Sequence, residues 1–183
     1  MIGVMNRRAT VFLFAGIIAF IPALLSAQAV ELRRGFRSLV LGLSFEEAQA
    51  VLRSDSAFSY RGEPDLSLSL SESSAVIDTA GRGYIKRALL QFNGDRLTIL
   101  TLYLDQATFD FFQLMEQLTD RYGPEKDMNP EWVVWEDART RILLERPLTI
   151  RYLDLADLAE RRSSGAVETS IQEEARERFL EEF

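Results

Sequence analysis

The sequence predicts an α+β fold in which helices pack on one face of an antiparallel sheet. Segments of helical periodicity alternate with groups of strand-like segments, in the order helix, strands, helix, strands. Nearly all links between the predicted strands are short, which favours antiparallel pairing. One of these links carries Asn93-Gly94, the pair typical of a two-residue hairpin turn.

The N-terminus has the layout of a secretory signal peptide. Residues 1–8 end in two arginines, and residues 9–25 are almost wholly apolar. Ala27-Gln28-Ala29 then offers the small residues that a signal peptidase requires. We therefore predict a signal peptide over residues 1–29 and a mature N-terminus at Val30. The alternative is an uncleaved signal that anchors the protein, although the apolar run is shorter than the roughly 20 residues of a spanning helix.

Composition excludes several kinds of chemistry. Without its signal the chain would hold 19 basic and 28 acidic residues, a net charge of −9, which disfavours binding to nucleic acid or to an anionic membrane surface. The sequence has no cysteine and no histidine, so disulfides, thiol nucleophiles, thiolate metal sites and Ser-His pairs are excluded. We predict no cofactor, no metal site and no transmembrane segment after signal cleavage.

Three arginines, Arg33, Arg34 and Arg37, follow the predicted cleavage site. They either form a local basic patch or belong to a solvated, flexible lead-in to the first helix. We favour the lead-in.

The first helix-then-strands unit begins at a capping box. Ser44 and Glu47 have the S-x-x-E spacing that satisfies backbone N–H groups at a helix start, so a helix is predicted from Phe45 to about Leu52. Strict alternation over Leu66–Leu70 predicts a half-buried strand. Further strands are predicted at Ala75–Ala80, Tyr84–Phe92 and Arg96–Leu104. Asn93 and Gly94 should both have positive φ, as a type I′ turn requires.

The second unit begins with a helix predicted over Phe109–Tyr122. Gly123-Pro124 ends it, because glycine suits the left-handed cap and proline cannot continue the helix. Lys126–Glu131 is a predicted polar loop, and a short helix is predicted at Asp154–Arg162. Between them lie the predicted strands Trp132–Trp135, Thr140–Leu144 and Leu148–Leu153. The two units have the same order of elements, which is consistent with a diverged duplication.

The predicted α+β domain covers residues 30–162, and a linker and C-terminal amphipathic helix cover residues 163–183. The apolar stripe of this helix includes Ile171, Phe179, Leu180 and Phe183. A lone helix of this length is marginal in water, so the stripe must dock on something. It docks either on its own sheet or in the groove of a partner protein.

Part of the chain resembles a known family of exported domains. The segment Gly42-Leu43-Ser44-Phe45-Glu46-Glu47-Ala48 looks like the first helix of the small periplasmic domains of the BamE family. The stretch from Phe92 to Trp135 is similar to many exported bacterial domains. The resemblance implies a scaffold, adaptor or inhibitor-like binding role rather than catalysis. The lipidated cysteine typical of the BamE family is missing here, so the resemblance does not extend to outer-membrane anchoring.

Two sets of side chains are candidates for function. Trp132 and Trp135, three apart in a predicted strand, should point to opposite faces, so one belongs to the core and the other is either exposed or covered by a loop or the tail. We favour a covered tryptophan. Carboxylates are the only bases that the composition leaves, and a pair such as Glu136 and Glu145 could act as acid and base. Asp105, Asp110 and Asp137 also lie at predicted helix starts or turns, where acids have ordinary structural roles.

The sequence therefore predicts a non-enzymatic, exported protein-binding domain of the bacterial periplasm or cell envelope. Its candidate partner-binding residues are Ile171, Phe179, Leu180, Phe183, Trp132 and Trp135. The alternatives are a carboxylate-dependent hydrolase and a carrier of a small apolar ligand between sheet and helices. An exposed apolar patch would favour the binding role, a deep apolar pocket the carrier, and a cleft with two perturbed carboxylates the enzyme.

Overall fold

A computed structural model describes residues 31–62, 66–68 and 75–163. The predicted signal peptide and the predicted tail helix lie outside these ranges. The described residues confirm the α+β class, with three helices, an eight-stranded antiparallel sheet and a separate two-stranded sheet. Within the same ranges, no helix combines the length and the apolar character needed to cross a bilayer.

The elements have the following bounds. The helices are α1 (Phe45–Ser54), α2 (Phe111–Tyr122) and α3 (residues 155–163). The small sheet consists of β1 (Gly35–Phe36) and β2 (Leu39–Val40). The strands of the large sheet are β3 (Leu66–Leu68), β4 (Ala75–Ala80), β5 (Ile85–Asn93), β6 (Arg96–Leu104), β7 (Asp127–Met128), β8 (Trp132–Glu136), β9 (Thr140–Glu145) and β10 (Thr149–Asp154).

The large sheet consists of two meanders that meet in its centre. The strand order is β3-β4-β5-β6-β10-β9-β8-β7, so the last strands of the two meanders pair with each other. Leu100 of β6 lies opposite Tyr152 of β10 in this central antiparallel pair. One helix precedes each meander, and the order of elements in the first half of the domain is therefore repeated in the second half.

One face of the large sheet forms the hydrophobic core with α1 and α2. Ala48 and Leu52 of α1 and Phe111 and Tyr122 of α2 are buried in a single cluster with this face. The largest fully buried side chain is Trp135, whose indole N–H donates to the carbonyl oxygen of Gly123 at 3.1 Å. The prediction that helices pack on one face of the sheet is therefore confirmed.

The first helix starts as predicted, but the central hairpin turn is displaced by one residue. Ser44 and Glu47 form the reciprocal capping box. Asn93, however, pairs with Arg96 within the ladder, and Gly94 alone has a positive φ, of 57°. The two turn residues are therefore Gly94 and Asp95, with glycine first, which is the pattern of a type II′ turn. The type I′ prediction was wrong.

The displaced turn has two visible causes. A register shift between Gln91 and Phe92 places one extra residue in the facing strand. The side chain of Asn93 also donates to Asp157 of α3 at 2.7 Å. Asn93 is therefore held in the ladder instead of the turn.

The segment before α1 is structured rather than a flexible lead-in. Leu32 is buried, and its backbone N–H donates to the Asp137 carboxylate at 2.7 Å. Arg34 donates to the Asp154 carboxylate at 2.6 Å. The favoured interpretation of these arginines as solvated was therefore wrong for Arg34, whose partner lies 120 residues away in the sequence.

Part of the predicted polar loop Lys126–Glu131 is a strand. Asp127 and Met128 of β7 pair with Val134 and Val133 of β8. Both side chains of this two-residue edge strand are exposed. Its sequence therefore shows no alternation of apolar and polar residues from which a strand could be predicted.

Candidate functional site

The face of the large sheet opposite α1 and α2, called the open face, carries a mixture of apolar and charged side chains. Its apolar members are mostly half-buried. They include Leu89, Ile99, Trp132, Leu143 and Leu153. Neither α1 nor α2 covers these side chains, since both helices belong to the core on the other face.

A groove of about 340 Å³ lies on the open face, over β7, β8 and β9. Trp132, Val134 and Leu143 form its apolar floor, and five of its eight lining residues are charged. Trp132 lies directly opposite Glu145 in the β8–β9 ladder. The groove is thus an aromatic surface rimmed by charges, and it is open to solvent, whereas a ligand-carrying pocket buries most of its ligand.

The two carboxylates that the sequence suggested as an acid–base pair both line this groove, and both are paired. Glu136 accepts hydrogen bonds from Lys126 and Arg141. Burial alone would raise the pKa of Glu136, but these two bonds outweigh it and hold that pKa below its usual range. Glu145 forms an ion pair with Arg151, with 3.1 Å between the charged atoms. Glu136 therefore stays ionised at neutral pH and is unsuited to the role of general acid.

The other suggested carboxylates have structural roles. Asp110 caps α2 by accepting from the backbone N–H of Phe112 at 2.8 Å. Asp137 accepts from the backbone at a turn, and such bonds outweigh burial and lower its pKa. The backbone N–H of Ala107 lowers the pKa of Asp105, and Lys86 adds to this effect. In the described ranges, no group of three or more acidic residues has the arrangement of a metal site.

An aromatic surface, exposed at Tyr84 and Phe112, lies at one end of the sheet. We call it the aromatic end and define it by Tyr84, Phe109, Phe111, Phe112 and Arg146. Tyr84 lies before the first residue of β5, the three phenylalanines surround the start of α2, and Arg146 follows the last residue of β9. The fold brings these links together because β5 starts where β6 and β9 end.

The aromatic end is held together by ring contacts and one arginine. The rings of Tyr84 and Phe109 are 5.3 Å apart, and those of Phe111 and Phe112 are 5.9 Å apart, both edge to face. The Arg146 guanidinium lies 4.2 Å from the Phe111 ring centre and 5.4 Å from that of Phe112. Such cation–π contacts stabilise the arrangement and fix the arginine over the rings.

Three large apolar side chains at this end of the sheet are exposed. Tyr84 is 62% exposed and Phe112 is 58% exposed. Met128 is 51% exposed, and as the last residue of β7 it lies at the same end of the sheet. Together with Arg146 these are residue types enriched at protein interfaces.

The structure separates the sequence-predicted candidates. Trp135 is a core residue, whereas Trp132 is half-buried on the open face, so the two do point to opposite faces. Ile171, Phe179, Leu180 and Phe183 lie outside the described residues. Trp132 is thus the one described candidate that a partner could reach.

Sequence reasoning missed the aromatic end entirely. Of the two adjacent phenylalanines in the second predicted helix, only Phe111 is buried. The sequence did contain one signal: two adjacent phenylalanines in a helix point about 100° apart around its axis, so they cannot both point to the centre of the core. Tyr84 and Arg146 lie in separate links, and only the strand order brings them to the same end of the sheet as Phe112.

A model of the TP0088 domain family matches residues 34–164 of the chain. This range runs from Arg34 to the residue after the last described turn of α3, so it includes both meanders and the helix before each of them. No curated protein and no solved structure matches the chain. The family match does not test the resemblance to the BamE family, which stays a prediction.

Proposed function

We propose that this chain, which belongs to the TP0088 domain family, is an exported, non-enzymatic domain that binds another protein in the bacterial periplasm or at the cell envelope. The aromatic end is the observation that carries this proposal. It holds two exposed aromatic side chains at the same end of the sheet, Tyr84 packed on Phe109 and Phe112 beneath Arg146, and aromatic residues and arginine are enriched at protein interfaces. The half-buried Trp132 on the open face is a second candidate contact.

Rigidity adds to the argument. Arg146 donates its backbone N–H to Glu131 and its Nε–H to Pro130, at 2.8 and 2.9 Å. The arginine and the rings beneath it are therefore already placed before a partner arrives. Binding to such a surface loses little side-chain entropy, which favours affinity.

The two alternatives have weaker support. A hydrolase that uses carboxylates needs one acid with a raised pKa, whereas the resolved shifts of the suggested acids Asp105, Glu136 and Asp137 are all downward. A carrier needs an enclosed apolar cavity, whereas the groove over β7, β8 and β9 is open to solvent and has charged residues around its apolar floor.

The binding proposal can be tested by photo-crosslinking in the native envelope. A photoreactive phenylalanine analogue replaces Phe112 in one variant and Glu46 in the control variant. Glu46 is exposed in the first turn of α1, away from the aromatic end. We expect a discrete covalent adduct with one envelope protein at position 112 and none at position 46. A third variant carries the same analogue in place of Trp132. If neither position 112 nor position 132 gives an adduct, the binding proposal is wrong.

Export is tested separately. The two arginines, the apolar run and Ala27-Gln28-Ala29 predict that natively exported protein begins at Val30. Intact-mass measurement on protein purified from the native cell checks this. A full-length, membrane-bound species would show that the signal is retained as an anchor.

A further inference from the structure

Arg146 is the charged centre of the aromatic end. It is exposed, and its Nε–H donates a hydrogen bond to the carbonyl oxygen of Pro130. Within the ranges that the structure describes, no carboxylate forms an ion pair with this guanidinium. Its two terminal nitrogens therefore keep donors available, and they do so beside the rings of Phe111 and Phe112.

This arrangement selects for a particular chemistry. A guanidinium presents paired N–H donors that match the two oxygens of a carboxylate, and charge-assisted bonds of this kind are stronger than neutral ones. The rings beside it favour apolar neighbours, and a partner that packs on them would exclude water and so strengthen the ion pair. A carboxylate flanked by apolar side chains meets both demands at once.

We propose that the partner binds the aromatic end through an aspartate or glutamate flanked by apolar residues, with the carboxylate paired to Arg146 and the apolar residues packed on Phe112 and Tyr84. This inference rests on the proposed function and names the chemistry of its partner. Charge complementarity carries it, because the guanidinium is the centre of the surface and has no acidic partner in the described chain.

The chain's own acidic tail is the other potential source of such a segment, and it would have to cross the length of the sheet to reach Arg146. Arg146 lies before the first residue of β10, whereas α3 follows the last residue of that strand. Arg161 of α3 donates to Asp157 and to Thr98, near the β5–β6 turn. The chain therefore leaves the described domain at the end of the sheet opposite to the aromatic end.

The crosslinking strain that carries the photoreactive residue at position 112 also tests this inference. In it, Arg146→Gln should reduce the yield of the adduct about tenfold, the loss expected when one charge-assisted pair is removed. Arg146→Lys keeps the charge but not the paired donors, so it should retain part of the yield. Thermal unfolding of both variants checks that the domain is folded.

The cross-linked partner peptide is then sequenced, and its acidic residue is changed to arginine. We expect that Arg146→Glu abolishes the adduct and that the partner's reversed charge restores it. A yield that Arg146→Gln leaves unchanged would overturn the inference while the proposed function stands. A crosslink that maps to residues 164–183 of this chain, or to a second copy, would also overturn it. If the strain that keeps Arg146 gives no adduct at all, that result would instead contradict the proposed function itself.

Discussion

Arg34 and Asp154 form an ion pair of 2.6 Å that joins the segment before α1 to the end of the central strand β10. The side chain of Asp154 is 5% exposed, and its other oxygen accepts from the backbone N–H of Ala156 at 3.0 Å. One carboxylate thus both anchors the start of the domain and caps the start of α3. Loss of either partner would leave a buried charge or open the helix start.

Arg34→Met is therefore expected to destabilise the domain at neutral pH by about 2–3 kcal/mol, because it removes the main partner of a buried carboxylate. Burial alone would raise the pKa of Asp154, but the bonds from Arg34 and the backbone outweigh it and lower that pKa. The resulting stability is complete above the unfolded-state pKa of roughly 4 and is lost as the pH falls through the folded-state pKa.

Urea unfolding at pH 7 and at pH 3 measures both effects. The wild type should lose more stability on acidification than Arg34→Met, because the variant already lacks the stabilisation that the Arg34–Asp154 ion pair provides. Arg121→Met, an exposed change in the last turn of α2, serves as the control and should change the free energy of unfolding by no more than about 0.5 kcal/mol. Equal acid sensitivity of wild type and Arg34→Met would show that other carboxylates dominate the acid response.

The two tryptophans should differ sharply in their contribution to stability. Trp135→Ala removes the largest fully buried side chain and should cost roughly 3–5 kcal/mol, whereas Trp132→Ala should cost less than half as much because Trp132 is half-exposed. Chemical denaturation followed by circular dichroism measures both values. Comparable losses would mean that Trp132 is also part of the core.

Gly94→Val should destabilise the central hairpin, because it forces a β-branched residue to a φ of 57°. We expect a cost of about 1–2 kcal/mol or more, measured by thermal unfolding. No atom lies within 4 Å of the position that a Cβ would occupy, so the loss would come from backbone strain rather than from a clash. The control is Gln106→Val in an exposed turn that has no positive φ. An unchanged melting temperature in Gly94→Val would contradict the assigned turn.

Truncation after Arg162 should leave the domain folded, because the described core cluster contains no residue beyond Tyr152. We predict little change in melting temperature and a loss of partner adducts, since the tail stripe with Phe179 and Leu180 is a candidate contact. Precipitation or unfolding of the truncated chain would place the tail in the core. A folded truncated chain that keeps every adduct would show that the tail does not bind the partner.

Local patterns predicted the regular part of the fold. Ala75–Ala80 and Arg96–Leu104 have the bounds predicted for them, because strand-forming residues fill them and turn residues flank them. Two-residue strands such as Gly35–Phe36 are too short to show any period, so they were missed. The hairpin turn was displaced because Asn93 bonds to Asp157, 64 residues away, and no window of local sequence contains that contact.

The candidate site was less predictable for the same physical reason. Trp132 could be assigned to a face from its spacing to Trp135 alone. Tyr84 and Arg146, in contrast, lie in separate links and Phe112 lies in α2, and each of these segments is ordinary in sequence. Their placement at one end follows from the strand order of the whole sheet, which depends on the pairing of β6 with β10.

The edge strand β7 also determines whether a strand of another chain can pair with this edge of the sheet. It pairs over only two residues, Asp127 and Met128, and Pro124 and Pro130 lie on either side of it in the sequence. Proline donates no hydrogen bond to a ladder, and a charged, two-residue edge offers an incoming strand almost no template. Polymerisation by strand addition is therefore disfavoured at this edge, so contact between copies there would not readily grow into a fibre.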